Sequence, residues 1–137
     1  MIHRLEQQVR FDLAIAPVST AAATTSAYFD MTEYGIQGFQ CAAGIGSNNV
    51  ACAVLQATDS SGTGAKACTN GPQSGVATLT GDGTNAQSDV VELTDRDLDV
   101  TNSFTHAAIR MTPTGTMVIA ASSVRGNCRH PQATMPS

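Results

Sequence analysis

Val50-Ala51-Cys52-Ala53-Val54-Leu55-Gln56-Ala57 is the stretch on which the fold turns. It is apolar on both faces of an extended chain and too short for a buried helix. Turn-forming clusters bound it, Gly44-Ile45-Gly46-Ser47-Asn48-Asn49 before and Asp59-Ser60-Ser61-Gly62-Thr63-Gly64 after. A short apolar run between such clusters predicts a central strand, covered on both sides.

Working outward, Val9, Phe11, Leu13 and Ile15 alternate with Arg10, Asp12, Ala14 and Ala16, the period of a strand, which Pro17 is expected to stop. Ser19 to Ser26 has no periodicity and reads as a surface connection. Tyr28 to Tyr34 and Ile36 to Ala43 read as extended segments, with Gly35 and Gly38 leaving room for a bulge. Further short strands are expected at Ala65–Thr69, Val76–Thr80, Val90–Leu93, Phe104–Met111 and Met117–Val124. Thr112-Pro113-Thr114-Gly115 puts Pro second and Gly fourth, which suits a type I turn and predicts a hairpin between the last two strands. Asp95 to Val100 has room for one helical turn. This pattern predicts an antiparallel β-sandwich or jelly roll of about seven to nine short strands with extended termini. The expected division is an arm over residues 1–8, a sandwich over 9–125 and a tail over 126–137.

A chain of 137 residues suits one domain. Twenty of its residues are alanine, so its core is expected to be thin and its stability to depend on neighbours. Net charge is −4 and Lys66 is the sole lysine. No basic face of the kind that neutralises phosphate is present, which argues against nucleic acid as a partner. The longest apolar run, Val50 to Leu55, is far short of the roughly 20 residues of a membrane helix. Met1 to Gln8 lacks the apolar region of a signal peptide, and the expected site of synthesis and folding is the cytoplasm.

Four cysteines, Cys41, Cys52, Cys68 and Cys128, make an even count. Cys41 and Cys52 lie symmetrically about the Gly44–Asn49 turn, where a disulfide across a hairpin is one reading and free buried thiols the favoured one. Cys128, His130 and His106 offer three ligands where structural zinc takes four. Asp95, Asp97 and Asp99 alternate and would share one face of an extended segment; the plain reading is a solvated acidic loop. A calcium loop counted from Asp95 fails, because Val100 and His106 stand where Gly and Glu are required. Gly62-Thr63-Gly64-Ala65-Lys66-Ala67 matches a dinucleotide fingerprint in letters, but Asn70-Gly71-Pro72 leaves no helix to bind the phosphates. No histidine has a nucleophile partner at a recognisable spacing. The sequence therefore nominates no catalytic residue, no cofactor and no metal. Arg4 and Arg10 near one end, and Arg125, Arg129 and His130 near the other, flank an acidic middle and form the candidate interface.

In the order of its segments the chain resembles the small β-sandwich head proteins of tailed bacteriophages, of decoration or cement type. The opening strand Val9-Arg10-Phe11-Asp12-Leu13-Ala14 leads into an Ala/Thr-rich stretch with Tyr28. Val50 to Asp59, with its Leu55-Gln56, is similar to the corresponding strand of those proteins. Leu98 to His106, Thr112-Pro113-Thr114-Gly115-Thr116 with Val118–Val124, and Arg129-His130-Pro131 resemble their closing segments. The likeness runs from about Val9 to Pro131. It implies a non-enzymatic virion protein that bridges capsid subunits. The implied partners are the major capsid protein and further copies of the chain, with trimers favoured. It also implies assembly in the host cytoplasm. A head–tail or tail-tube protein is the alternative within the virion. A β-sandwich module for carbohydrate or a host surface is the alternative outside it, with few aromatic platforms to serve it, since Trp is absent and Tyr numbers two.

Overall fold

The computed structural model describes residues 8–68 and 76–128. Ten strands follow one another: β1 (Val9–Thr20), β2 (Thr24–Thr25), β3 (Phe29–Asp30), β4 (Tyr34–Ala43), β5 (Val50–Ala57), β6 (Lys66–Ala67), β7 (Val76–Leu79), β8 (Gln87–Thr94), β9 (His106–Pro113) and β10 (Met117–Cys128). Two 3-10 turns, Asp95–Asp97 and Val100–Asn102, fill the β8–β9 connection, where one helical turn was expected.

All pairing is antiparallel and falls into two sheets. One has the order β1-β10-β4-β8. In the other, β9 and β5 are central; β2 and β3 pair with successive parts of β9, and β6 and β7 with successive parts of β5. Each short couple thus serves as one interrupted edge strand, which leaves four strand positions per sheet. Six of the seven steps between positions cross from one sheet to the other, the arrangement of a jelly roll. The predicted central strand Val50–Ala57 is β5, and it lies between β9 and the β6/β7 edge.

Three expectations fail locally. The segments flanking Thr112–Gly115 do not form a hairpin: β9 pairs with β5, while β10 pairs with β1 and β4 in the opposite sheet. A turn motif fixes the reversal of the chain but not the sheet each arm joins. Pro17 does not stop β1, which runs on to Thr20 through register shifts between Leu13 and Ile15 and between Ile15 and Val18. An edge strand has one side free of partners, so Pro17 sits in that irregular stretch without breaking a ladder. Gly126 to Cys128, assigned above to the tail, continue β10.

The core lies between the sheets and contains Tyr34, Phe39, Val54, Val91, Ile109, Met111 and Ile119, all at most 1% exposed. Ala107, Ala121, Cys41 and Cys52 supply the small positions among them. Gln56 is polar but 2% exposed, and its amide is used on both sides. Its Oε1 accepts the Asp99 backbone N–H at 2.8 Å, and its Nε2 donates to the Ala67 carbonyl at 3.3 Å.

Three connections meet at one end of the sandwich, around Asn48 and Asn49. Asn49 Oδ1 accepts from Gly81 N at 3.2 Å, and the Asn49 carbonyl accepts from Thr114 N at 2.9 Å. Gly83 N donates to the Gly46 carbonyl at 2.9 Å. The turn clusters read separately in the sequence are thus tied to one another.

Candidate functional site

Register and burial decide which side chains the β1-β10-β4-β8 sheet shows to solvent. In β10 the residues Met117, Ile119, Ala121, Ser123 and Arg125 face the core, so Val118, Ala120, Ser122, Val124 and Gly126 face out. Cross-strand partners share a face. Phe11 opposite Val124 and Leu13 opposite Ser122 therefore face out as well, and so do Ile36, Gly38, Gln40 and Ala42 of β4. Ser88, Val90, Glu92 and Thr94 of β8 complete the face. Glu92 is its one charged side chain among the described strands. Phe11 is 55% exposed, Leu13 64%, Val90 47% and Val118 49%. Among the described residues, five of the eight exposed large hydrophobic side chains (Phe11, Leu13, Ile36, Val90 and Val118) stand on this charge-poor face, and such patches mark interaction sites.

The alternation in β1 showed two faces without saying which lies inside. The structure puts Arg10 and Asp12 inward and Phe11 and Leu13 outward, and the register shift after Leu13 then turns Ile15 into the core at 4% exposure. The signal available in the sequence was the pair of opposite charges two residues apart, which can satisfy each other along one strand face.

That inward turn also relocates the candidate interface residues. Arg125 is 3% exposed and is held from several directions. Its Nη2 donates to Asp12 Oδ2 at 2.8 Å and its Nη1 to the Asp30 carbonyl at 3.0 Å. The guanidinium lies 4.7 Å from the Tyr34 ring centre and 5.3 Å from that of Phe29. Arg10 is half-buried and donates from Nε and Nη2 to Asp12 Oδ1, each at 3.2 Å. Burial works against the charge of Asp12, but the hydrogen bonds from Arg10 and Arg125 outweigh it and hold its carboxyl below the usual range. Arg125 therefore serves the fold rather than a docking surface. Arg4, Arg129 and His130 lie outside the described residues.

The alternating aspartates do not share a face. Asp97 is 9% exposed and accepts the Thr94 backbone N–H at 2.8 Å. Asp99 caps the Val100–Asn102 turn and pairs with Lys66, whose ammonium lies 4.2 Å from the Phe104 ring centre. No group of three or more metal-ligating side chains gathers among the described residues. The Gly62–Gly64 motif is a turn, with positive φ at both glycines. Cys41, Cys52 and Cys68 are buried, and Cys68 Sγ donates to the Asp97 carbonyl at 3.4 Å. Cys41 and Cys52 do meet, but across the core from opposite sheets rather than along a hairpin. At the end of the sandwich away from Asn48, a cavity of about 370 Å³ opens between Met31, Thr32, Arg96, Leu98, Val100 and Phe104.

Topology and surface together define a jelly-roll domain with an apolar outer sheet face. No family model matches the chain, and no curated protein matches it. Among solved structures, that of infectious bursal disease virus strain Gx aligns with 93% of this chain at 13% identity and a TM-score of 0.48. This chain spans about a third of that one, 34%. The SPBc2 prophage-derived protein YomS aligns over 90% of this chain and 98% of its own, at 9% identity and a TM-score of 0.45. A chain of the naturally occurring empty particles of cowpea mosaic virus aligns over 95% and 87%, at 9% identity and a TM-score of 0.49. These are likenesses of fold.

Proposed function

We propose that the chain is a non-enzymatic structural protein of a virion, a decoration or cement protein of a tailed-phage head that bridges subunits of the major capsid protein and reaches its place in the host cytoplasm. The observation that carries this reading is the outer face of the β1-β10-β4-β8 sheet, where Phe11, Leu13, Val90 and Val118 stand in water with one carboxylate, Glu92, among them. Each apolar side chain left in water forgoes roughly 25 cal/mol per Å² of burial. Leaving this many outside suits a protein that is stabilised further when neighbours cover them. Two supports come from elsewhere. The order of segments resembles that of small head proteins, and jelly rolls are a recurrent architecture of capsid domains, an analogy at the level of fold. We assign the contacts with the shell to this outer sheet face, and keep Arg4, Arg129 and His130 as further candidate contacts.

The test is to image and weigh particles that carry this chain. Cryo-electron microscopy and quantitative mass spectrometry are expected to find it in many copies on the head exterior. Absence from purified particles, or a handful of copies, would remove the decoration role. Closed rings formed by the purified chain would favour the head–tail or tail-tube reading instead.

A further inference from the structure

We propose that Cys41 and Cys52 are a redox pair: where the chain folds in the presence of a small-molecule disulfide, they close a bond through the core and lock the two sheets together. The proposal stands apart from the virion role above.

Topology brings the two cysteines together. β4 ends at Ala43 in one sheet and β5 begins at Val50 in the other, so residues 44–49 carry the chain across the sandwich at the Asn48 end. Counting away from that crossing, Ala43 and then Cys41 point inward on one side, and Val50 and then Cys52 on the other, all at most 4% exposed. Each cysteine is the second inward residue from the same crossing, so the two stand at one depth in the core. Their thiols are joined by a hydrogen bond. Cys68 is turned elsewhere, with Sγ donating to the Asp97 carbonyl.

The bond asks the two sulfurs to close from contact to about 2.05 Å. The neighbours permit that shift. Ala121 lies opposite Cys41, and Ala77 opposite Cys52. On the other side of Cys52 stands Met111, an unbranched side chain that refills small gaps. A link between the central strands of two sheets fastens the sandwich at its middle, as an inter-sheet disulfide does in other β-sandwiches.

The chemistry is a two-step exchange. One protein thiolate attacks a sulfur of the external disulfide, and the far half leaves as a thiol. The second protein thiolate then attacks the protein sulfur of that mixed disulfide and releases the other half. Two S–H bonds of the protein are lost and one S–S bond is formed. The external disulfide is reduced to two thiols, which carry away the two protons. Both cysteines are 0% exposed, so the reagent meets them before the sandwich closes or when it opens. A chain folded where thiols are kept reduced holds the pair as thiols, and folding in an oxidising medium bridges it.

The test is to refold the full, reduced chain in mixtures of reduced and oxidised glutathione, with a parallel set kept unfolded in urea. Acid quenching, alkylation and peptide mass spectrometry then read the bonds. The expected result is a Cys41–Cys52 peptide as the main bridged product. Its equilibrium constant should be roughly 100-fold higher in the folded set than in urea, the ratio by which bridging a loop of about a dozen residues favours the fold. The thermal midpoint of the oxidised chain should rise by several degrees and return on reduction. Cys68→Ala should keep the bridge, and Cys52→Ala should abolish it. Glutathione adducts alone, bridges to other cysteines, or an equal constant in urea would overturn the proposal. The wild-type peptide map decides this even where a variant fails to fold. None of these outcomes bears on the virion role.

Discussion

Arg10 and Arg125 stand directly opposite each other across the β1–β10 pair, and Asp12 accepts hydrogen bonds from both guanidinium groups. Like charges opposed in a sheet repel, and the carboxylate between them turns the repulsion into a bridge. Arg125 adds the Asp30 carbonyl and the faces of Phe29 and Tyr34. The bridge thus fastens the β1 edge to the β10 strand and to the β3 segment of the other sheet.

Removing one member of a buried, hydrogen-bonded pair costs about 3–5 kcal/mol, because the partner's charge remains without its full set of contacts. Arg125→Ala is therefore expected to lower stability by about that much, and Arg10→Ala, at a half-exposed site, by about 1 kcal/mol or less. Urea unfolding of the two variants checks the difference. Equal, small losses would show that the bridge contributes nothing beyond a surface pair.

Acid should unfold the protein over a defined range. Asp12 is held below its ordinary value despite burial, and Asp99 is lowered by Lys66 and Asn102. The backbone N–H groups of Asn85 and Thr84 bring Asp82 down to about 2. In each case the folded value lies below the unfolded one, so falling pH protonates the unfolded chain first. The stability these groups contribute is complete above about pH 4 to 5 and drains away as pH drops toward about 2. Thermal midpoints measured through this range are expected to fall steeply, and Asp12→Asn to flatten part of the slope. A midpoint that held level down to pH 2 would contradict the assignment.

The strands were legible because their signals are local. Val50–Ala57 is apolar on both faces and became a central strand; the Gly, Asn and Asp clusters became the turns. Pairing was not legible, because it depends on contacts between distant segments. Thr112–Gly115 reverses the chain, yet its two arms enter different sheets, and nothing within those four residues distinguishes a hairpin from a crossover. The outer face was hidden for a related reason: the alternation from Val9 to Ile15 is the same pattern whichever phase lies inside. Arg125 read as a surface cation because its partners, Asp12, Asp30 and Tyr34, are about 90 or more positions away in the chain.

The thiols are expected to be silent in the native protein. Cys41 and Cys52 are both 0% exposed, and the hydrogen bond to Cys52 together with burial holds the Cys41 thiol in its neutral form. The thiolate is the reactive species, and reagent must also reach it. Three of the four cysteines should resist a colourimetric thiol reagent until denaturant is added, with a labelling rate that follows global unfolding. Rapid labelling of Cys41 or Cys52 under native conditions would mean that the two sheets part readily.

Gly81 carries the sharpest backbone constraint in the turns. A Cβ placed there would collide with the carbonyl oxygens of Asn48 and Gly46. Both atoms are backbone, so no side chain can swing aside to relieve the clash. The Gly81 N–H also donates to Asn49 Oδ1, so displacement of the β7–β8 connection loses a bond as well. Gly81→Ala is expected to cost about 1–3 kcal/mol and to lower the thermal midpoint by roughly 4–12 °C. Gly83→Ala provides the comparison: its Cβ would meet nothing within 4 Å, and only its positive φ opposes the change, a cost of about 1 kcal/mol. If the two variants melted together, the tie between the Asn48–Asn49 turn and Gly81 would not be what holds that end of the sandwich closed.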